Sequence, residues 1–191
     1  MQVLSDMRGE GVGQDASAFS AGKQTLAFPA ASLAPSASAG AQRGQITTAN
    51  GLTWNTLDFD PSTAEFVELE IPFPKSWNEG AISFQVIWSH PTTATNFGVV
   101  WSLEALAVGD GDALNAALGT AVTVTDTGGA ADTFYRSPES GAVTIAGPVA
   151  EGDVVKARLG RAPANAADLM AVDARLHTLL IFFTTSAATD A

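Results

Sequence analysis

The chain contains no cysteine. That removes disulfides, thiolate metal sites and cysteine nucleophiles together. Basic residues are scarce: nine Lys and Arg stand against twenty Asp and Glu, a formal charge of −11. Nucleic-acid surfaces cluster Lys and Arg, and here they are scattered, so no contact with DNA or RNA is expected. Histidine is nearly absent. His90 and His177 lie in separate segments without HExxH or His-x-His spacing, so neither a metal nor another cofactor is expected. No apolar run approaches the roughly 18–20 residues of a membrane span. The opening MQVLSDMRGEGVGQ has neither the basic nor the apolar region of a secretory signal. The expectation is therefore no membrane association. The 191 residues suit one large β domain, or a domain with an arm.

What is present is period-two alternation. Between Glu65 and Trp101, three stripes are separated by turn chemistry. Val67, Leu69, Ile71 and Phe73 share one face, with Glu68 and Glu70 opposite. Ile82, Phe84, Val86 and Trp88 repeat the pattern. Phe97, Val99, Trp101, Leu103, Ala105 and Ala107 form the third stripe. Side chains of a strand point to alternate faces, so this spacing builds sheets with one buried and one wet face. Further strands are predicted at Trp54–Phe59, Ala121–Thr125, Phe134–Arg136, Val143–Ile145, Val155–Leu159 and Val172–Thr185. In the last of these, Val172, Ala174 and Leu176 point inward and Asp173, Arg175 and His177 outward. From Leu179 to Phe183 it is apolar on both faces, which means burial inside a sandwich or against another subunit. Leu179, Ile181 and Phe183 are thus candidate subunit-interface residues.

Asp110–Gly119 is the one helix candidate, with Asp112 as cap and Gly119 as stop. Asp126-Thr127-Gly128-Gly129 reads as a turn. Residues 1–23 are rich in Gly, Ser and Ala and read as a flexible or docking arm. Residues 24–191 read as the folded domain. About nine or ten strands with short connections predict an all-β protein, an antiparallel β-sandwich of jelly-roll type with one short helix.

Catalytic signals are weak. Asp126-Thr127-Gly128 matches the aspartic-protease tripeptide, but those enzymes pair two such loops, and the chain has one. Asp110 and Asp112 could touch a hard cation, yet no EF-hand pattern surrounds them. Glu68 and Glu70 lie two apart on one face, as glycosidase carboxylates could. Lys156 and Arg158 have the matching spacing, so cross-strand or inter-subunit ion pairs among these four residues are the commoner explanation. No enzyme is expected. Among the aromatics, Trp88 and Trp101 sit on inward stripes and Trp54 is ambiguous. Trp77, in the Pro-flanked PFPKSWNEG, is a candidate interface or glycan contact, with Tyr135 as a second. The alternative for Trp77 is a loop folded over one end of the sandwich.

The segments FPKSWNEG, IWSHPTTATNFGVVWSLEALAV, DTGG, SPES, VTIAG and MAVDARLHTLLIFFTT resemble, in that order, a family of small virion structural proteins of tailed phages and prophages. The resemblance runs from about Leu26 to Ala187. It implies a bacteriophage virion structural protein made in the host cytoplasm and carried on the particle surface. The role would be a tail fibre or spike, or a head fibre or decoration subunit. It also implies a homo-oligomer, such fibres commonly being trimers, mounted on other virion proteins through the arm and able to contact host surface polysaccharide. A lectin-like carbohydrate-binding module is the alternative, and a glycoside-cleaving enzyme a more distant one.

Overall fold

The computed structural model describes residues 22–92 and 97–187. The chain runs through β1 (Lys23–Pro29), β2 (Ala34–Pro35), β3 (Gln42–Thr47), β4 (Thr53–Phe59), β5 (Phe66–Pro72) and β6 (Ser83–Ser89). It continues through β7 (Phe97–Val108), β8 (Val122–Gly128), β9 (Tyr135–Arg136), β10 (Val154–Arg161) and β11 (Ala174–Thr184). One sheet is ordered β3-β4-β11-β6-β9, with β1 also paired to β11; the other is β2-β5-β10-β7-β8. Counting the eight strands from β4 to β11, the first sheet contains 1-8-3-6 and the second 2-7-4-5. That interleaving is the strand order of a jelly roll. The chain is an all-β antiparallel sandwich.

The core follows from the alternation. Val67, Leu69 and Ile71 of β5, Leu103 and Ala105 of β7, and Val155, Ala157 and Leu159 of β10 face Phe84, Val86 and Trp88 of β6 and the inner residues of β11. On β11 the register slips between Leu176 and Thr178. This bulge reverses the phase of the strand. Before it, Ala174 and Leu176 face inward; after it, Leu179, Ile181 and Phe183 do. The three residues read as a subunit interface therefore pack against the second sheet of the same chain. Leu180 and Phe182, on the other face, explain the two-sided apolar run. Leu180 lies between Ala27 of β1 and Gln85 of β6, and the Lys23 ammonium sits 4.6 Å over the Phe182 ring.

A buried ion pair closes one end of β10. Arg161 Nε donates to Asp168 Oδ2 at 3.0 Å and Nη2 to Oδ1 at 2.7 Å. Its remaining donors reach the carbonyls of Phe59, Val172 and Met170. Asp168 also accepts the Val100 N–H at 3.0 Å. A planar fork with five donors suits this enclosed set of oxygens. The pair thereby ties the 162–173 loop to β4 and β7.

Three sequence readings change. Asp110–Gly119 is not helical: Asp112 accepts the Gly109 N–H at 3.0 Å, and Gly119 N–H bonds to the Ala105 carbonyl. Leu114 is 88% exposed, so the segment has no apolar face to bury. A peptide that short gains too little from its own hydrogen bonds to stay helical. The only helical turn among the described residues is the 3-10 turn Ala30–Ser32. Asp126–Gly128 belongs to strand β8 and not to a turn. Val143 makes an isolated bridge to Ile82 and no strand. Of the arm, residues 1–21 lie outside the described residues. No helix of the described residues is long and apolar enough to cross a membrane.

Candidate functional site

The two outer faces of the sandwich carry different chemistry. On the β5–β10–β7 face, Lys156 Nζ lies 3.0 Å from Glu68 and 3.5 Å from Glu70. Arg158 Nε donates to Glu104 at 2.6 Å, a partner that the spacing of the charges does not reveal, and its guanidinium lies 4.6 Å over the Phe66 ring. Glu68 also accepts the Ser36 hydroxyl at 2.8 Å. That bond and Lys156 hold its carboxyl below the usual glutamate range. The Glu68 and Glu70 carboxylates thus face a cation they share.

The outer face of the other sheet holds a cleft of about 520 Å³. Two exposed aromatics flank it, Trp54 at 41% and Phe134 at 50% exposure. Their ring centroids are 5.0 Å apart with the planes at 90°. Both rings meet His177 edge to face, Phe134 at 4.5 Å and Trp54 at 6.3 Å. Thr53, Asn55, Arg136 and Thr178 supply polar groups at the walls. The local sequence explains the placement. Trp54 is out of phase with the inward Leu57 and Phe59 of β4, so strand alternation turns it to the outer face. The β11 bulge sets His177 on that face as well.

His177 is almost enclosed there. Its Nε2 lies 2.8 Å from Ser89 Oγ, and Nδ1 is buried without a hydrogen-bond partner. Loss of solvent, helped by the charge of Arg175, pushes its pKa down to about 4. The imidazole is neutral at physiological pH.

The loop carrying Phe134 is pinned from beneath. Tyr135 stacks on His90 at 5.4 Å and leans on Trp88 at 5.3 Å, while its hydroxyl donates to the Ala130 carbonyl at 3.1 Å. Gly129 N–H donates to His90 Nε2 at 3.2 Å. The proton must then sit on Nδ1, which faces the Thr92 carbonyl at 2.8 Å. Arg175 Nη1 donates to Asp132 at 2.8 Å. The Asp126-Thr127-Gly128 tripeptide serves this same cluster. Asp126 accepts the Trp88 indole N–H at 2.7 Å. A Cβ on Gly128 would lie 2.5 Å from His90 Nε2, so only glycine lets His90 pack there. The tripeptide braces an aromatic cluster.

Of the two aromatics that the sequence marks as candidate contacts, Tyr135 lines the cleft wall. Trp77 does not reach it. It is 6% exposed and stacks on Phe73 at 4.2 Å, closing the far end of the core. The remaining cleft residues Trp54, Phe134, Arg136 and His177 do not stand out from sequence as a site. For Trp54 the signal is its phase against Leu57 and Phe59. Phe134 has no such signal, since it lies in the loop just before β9. Among the described residues, no three His, Asp or Glu side chains gather as metal ligands. What the cleft offers is flat apolar surface beside uncharged polar groups and one guanidinium, which is the equipment of a binding site.

No family model matches the chain, and no curated protein matches it. Among solved structures, it is similar to a chain of the infectious bursal disease virus Gx strain, with 9% identity and a TM-score of 0.40. That match covers 87% of this chain and 34% of the viral one. A chain of the Gt strain of the same virus gives 10% identity and a TM-score of 0.39, over 88% and 34% of the two chains. The present chain thus spans about a third of the length of the solved chains it matches.

Proposed function

We propose that this protein is a non-enzymatic structural subunit of a virus particle, displayed on its surface. The specific reading is a bacteriophage tail fibre or spike, or a head fibre or decoration subunit. The observation that carries the proposal is the jelly-roll strand order, a double-sheet architecture used by viral capsid and lectin domains. The resemblance of the segments from Leu26 to Ala187 to phage virion proteins points the same way. In this reading, residues 1–23 dock onto other virion proteins and the sandwich projects. Copies associate as a homotrimer, and many weak contacts to host polysaccharide add up through copy number. With Leu179, Ile181 and Phe183 committed to the core, such a trimer would use surface residues elsewhere.

The test is recovery of the polypeptide from purified particles. It should co-sediment with intact virions through a density gradient and be lost when residues 2–23 are deleted. A protein found only in the soluble fraction of lysed hosts would refute the proposal. Light scattering on the purified chain tests the trimer separately.

A lectin-like carbohydrate-binding module is the second reading. The exposed Trp54 and Phe134 over a concave surface favour it. It calls for sugar affinity in the isolated chain and no association with particles.

A further inference from the structure

The cleft beside Trp54 departs from the rest of the molecule in its charge. The chain has twenty Asp and Glu against nine Lys and Arg. Yet among the described residues no carboxylate lines this cleft, and Arg136 is the one ionised side chain on its walls. Asp132 borders an adjoining recess, but Arg175 engages it at 2.8 Å. A local positive charge on so acidic a chain selects for an anionic group in the ligand.

Arg136 is also held in place. Its Nη1 donates to Gln85 Oε1 at 3.0 Å, and the Gln85 amide is itself fixed by donating to the Ser137 carbonyl at 2.6 Å. The bond to Gln85 engages one of five guanidinium N–H groups. A preset fork of this kind matches a carboxylate, which accepts two parallel bonds from it. The neighbouring surface is aromatic and perpendicular. Trp54 and Phe134 meet at 90°, presenting one ring face and one ring edge to the same space. The apolar C–H face of a pyranose packs on such rings, and its hydroxyls need partners like Asn55, Thr53 and Thr178. The volume, about 520 Å³, falls within the roughly 300–1,000 Å³ of small-molecule sites. Both aromatics are already exposed, so the site needs no opening.

We infer that this cleft binds a short acidic oligosaccharide, a pyranose ring packed against Trp54 and Phe134 and its carboxylate paired with Arg136. The inference deepens the glycan-contact part of the proposed function by naming the class of sugar and the residues that read it. It stands or falls on the purified chain, whereas the virion role is decided by sedimentation with particles. Failure of one is thus distinguishable from failure of the other.

The experiment is calorimetric titration of the full-length chain with trimers of galacturonate, glucuronate and N-acetylneuraminate, each beside a neutral galactose or glucose trimer. At least one acidic trimer is expected to bind, and the neutral ones tenfold or more weaker. Trp54→Ala and Phe134→Ala should each weaken binding at least tenfold. Arg136→Gln should bring the acidic trimer to the level of the neutral one. All three residues are at the surface of the cleft, and thermal unfolding of each variant confirms that it folds. The inference is overturned if no acidic trimer binds at millimolar concentration, or if neutral and acidic trimers bind alike. It is overturned as well if Trp54→Ala leaves binding intact, or if light scattering shows that Trp54→Ala splits an oligomer. That last result would make the face an interface between copies.

Discussion

The two outer faces of this sandwich are built on the same strand geometry and do opposite things with it. The β5–β10–β7 face spends its outward positions on charges that neutralise one another: Lys156 with Glu68 and Glu70, Arg158 with Glu104. Such a face is solvated and has little unmet chemistry. The β4–β11–β6 face puts Trp54 and His177 on its strands and overhangs them with Phe134. There, apolar surface is left in water, and Arg136 has no acidic neighbour among the described residues of the cleft wall. The contrast indicates where to look on an acidic β-sandwich. Paired charges mark the passive face, and unpaired aromatic surface marks the one with something to bind.

Four tests probe that contrast. The largest effect is expected where charge is buried, behind both faces. Arg161→Ala leaves the buried Asp168 carboxylate without its cation, the Val100 N–H remaining, and stability should fall by about 3–5 kcal/mol in urea unfolding. Replacing both partners, Arg161→Met with Asp168→Leu, should cost clearly less. An equal cost would mean that the pair contributes packing alone.

Next comes the enclosed histidine of the cleft face. In the folded chain its pKa is depressed from 6.5 to about 4, so the unfolded chain takes up the proton first. Its contribution to stability is whole above pH 6.5 and is lost as pH falls towards 4, with no further loss below. The depression is worth at most about 3–4 kcal/mol. Melting temperature followed across this window should fall more steeply for the native chain than for His177→Gln. Parallel curves would show that His177 is not the group being titrated.

Trp54→Ala removes a half-exposed ring, so stability should change by under about 1 kcal/mol while sugar binding drops at least tenfold. A large loss of stability would make Trp54 a packing residue and erase the contrast between faces. The smallest effect belongs to the charged face. Lys156→Met should cost less than about 1 kcal/mol, and the cost should shrink further in high salt. Unfolding at two ionic strengths measures both.

The sandwich is legible in the sequence because its pattern is local. Val67 to Ile71 and Val155 to Leu159 alternate without interruption, and each strand declares its inner face. The bulge at His177 is not legible, because one extra residue changes the phase without changing composition. Leu179, Ile181 and Phe183 therefore look like part of a strand with two apolar faces. Strand β3 escapes notice because Gln42–Thr47 is nearly all polar and pairs at a sheet edge. The helix at Asp110–Gly119 fails for the opposite reason: good local signals meet no surface to pack on. The cleft is hidden for a third reason. Trp54, Phe134, Arg136 and His177 lie on three stretches of chain far apart in sequence, and only the jelly-roll crossing brings them together. Trp77 looks exposed because its loop is rich in Pro and polar residues, while Phe73, a few residues earlier, draws it down over the core.

Which face holds a ligand is decided most directly by a crystal structure of the full-length chain grown with the tightest-binding acidic trisaccharide. The expected density lies between Trp54 and Phe134, with a carboxylate on Arg136. Density on the Lys156–Arg158 face, or a cleft that stays empty while sugar binds elsewhere, would contradict the assignment of the binding face.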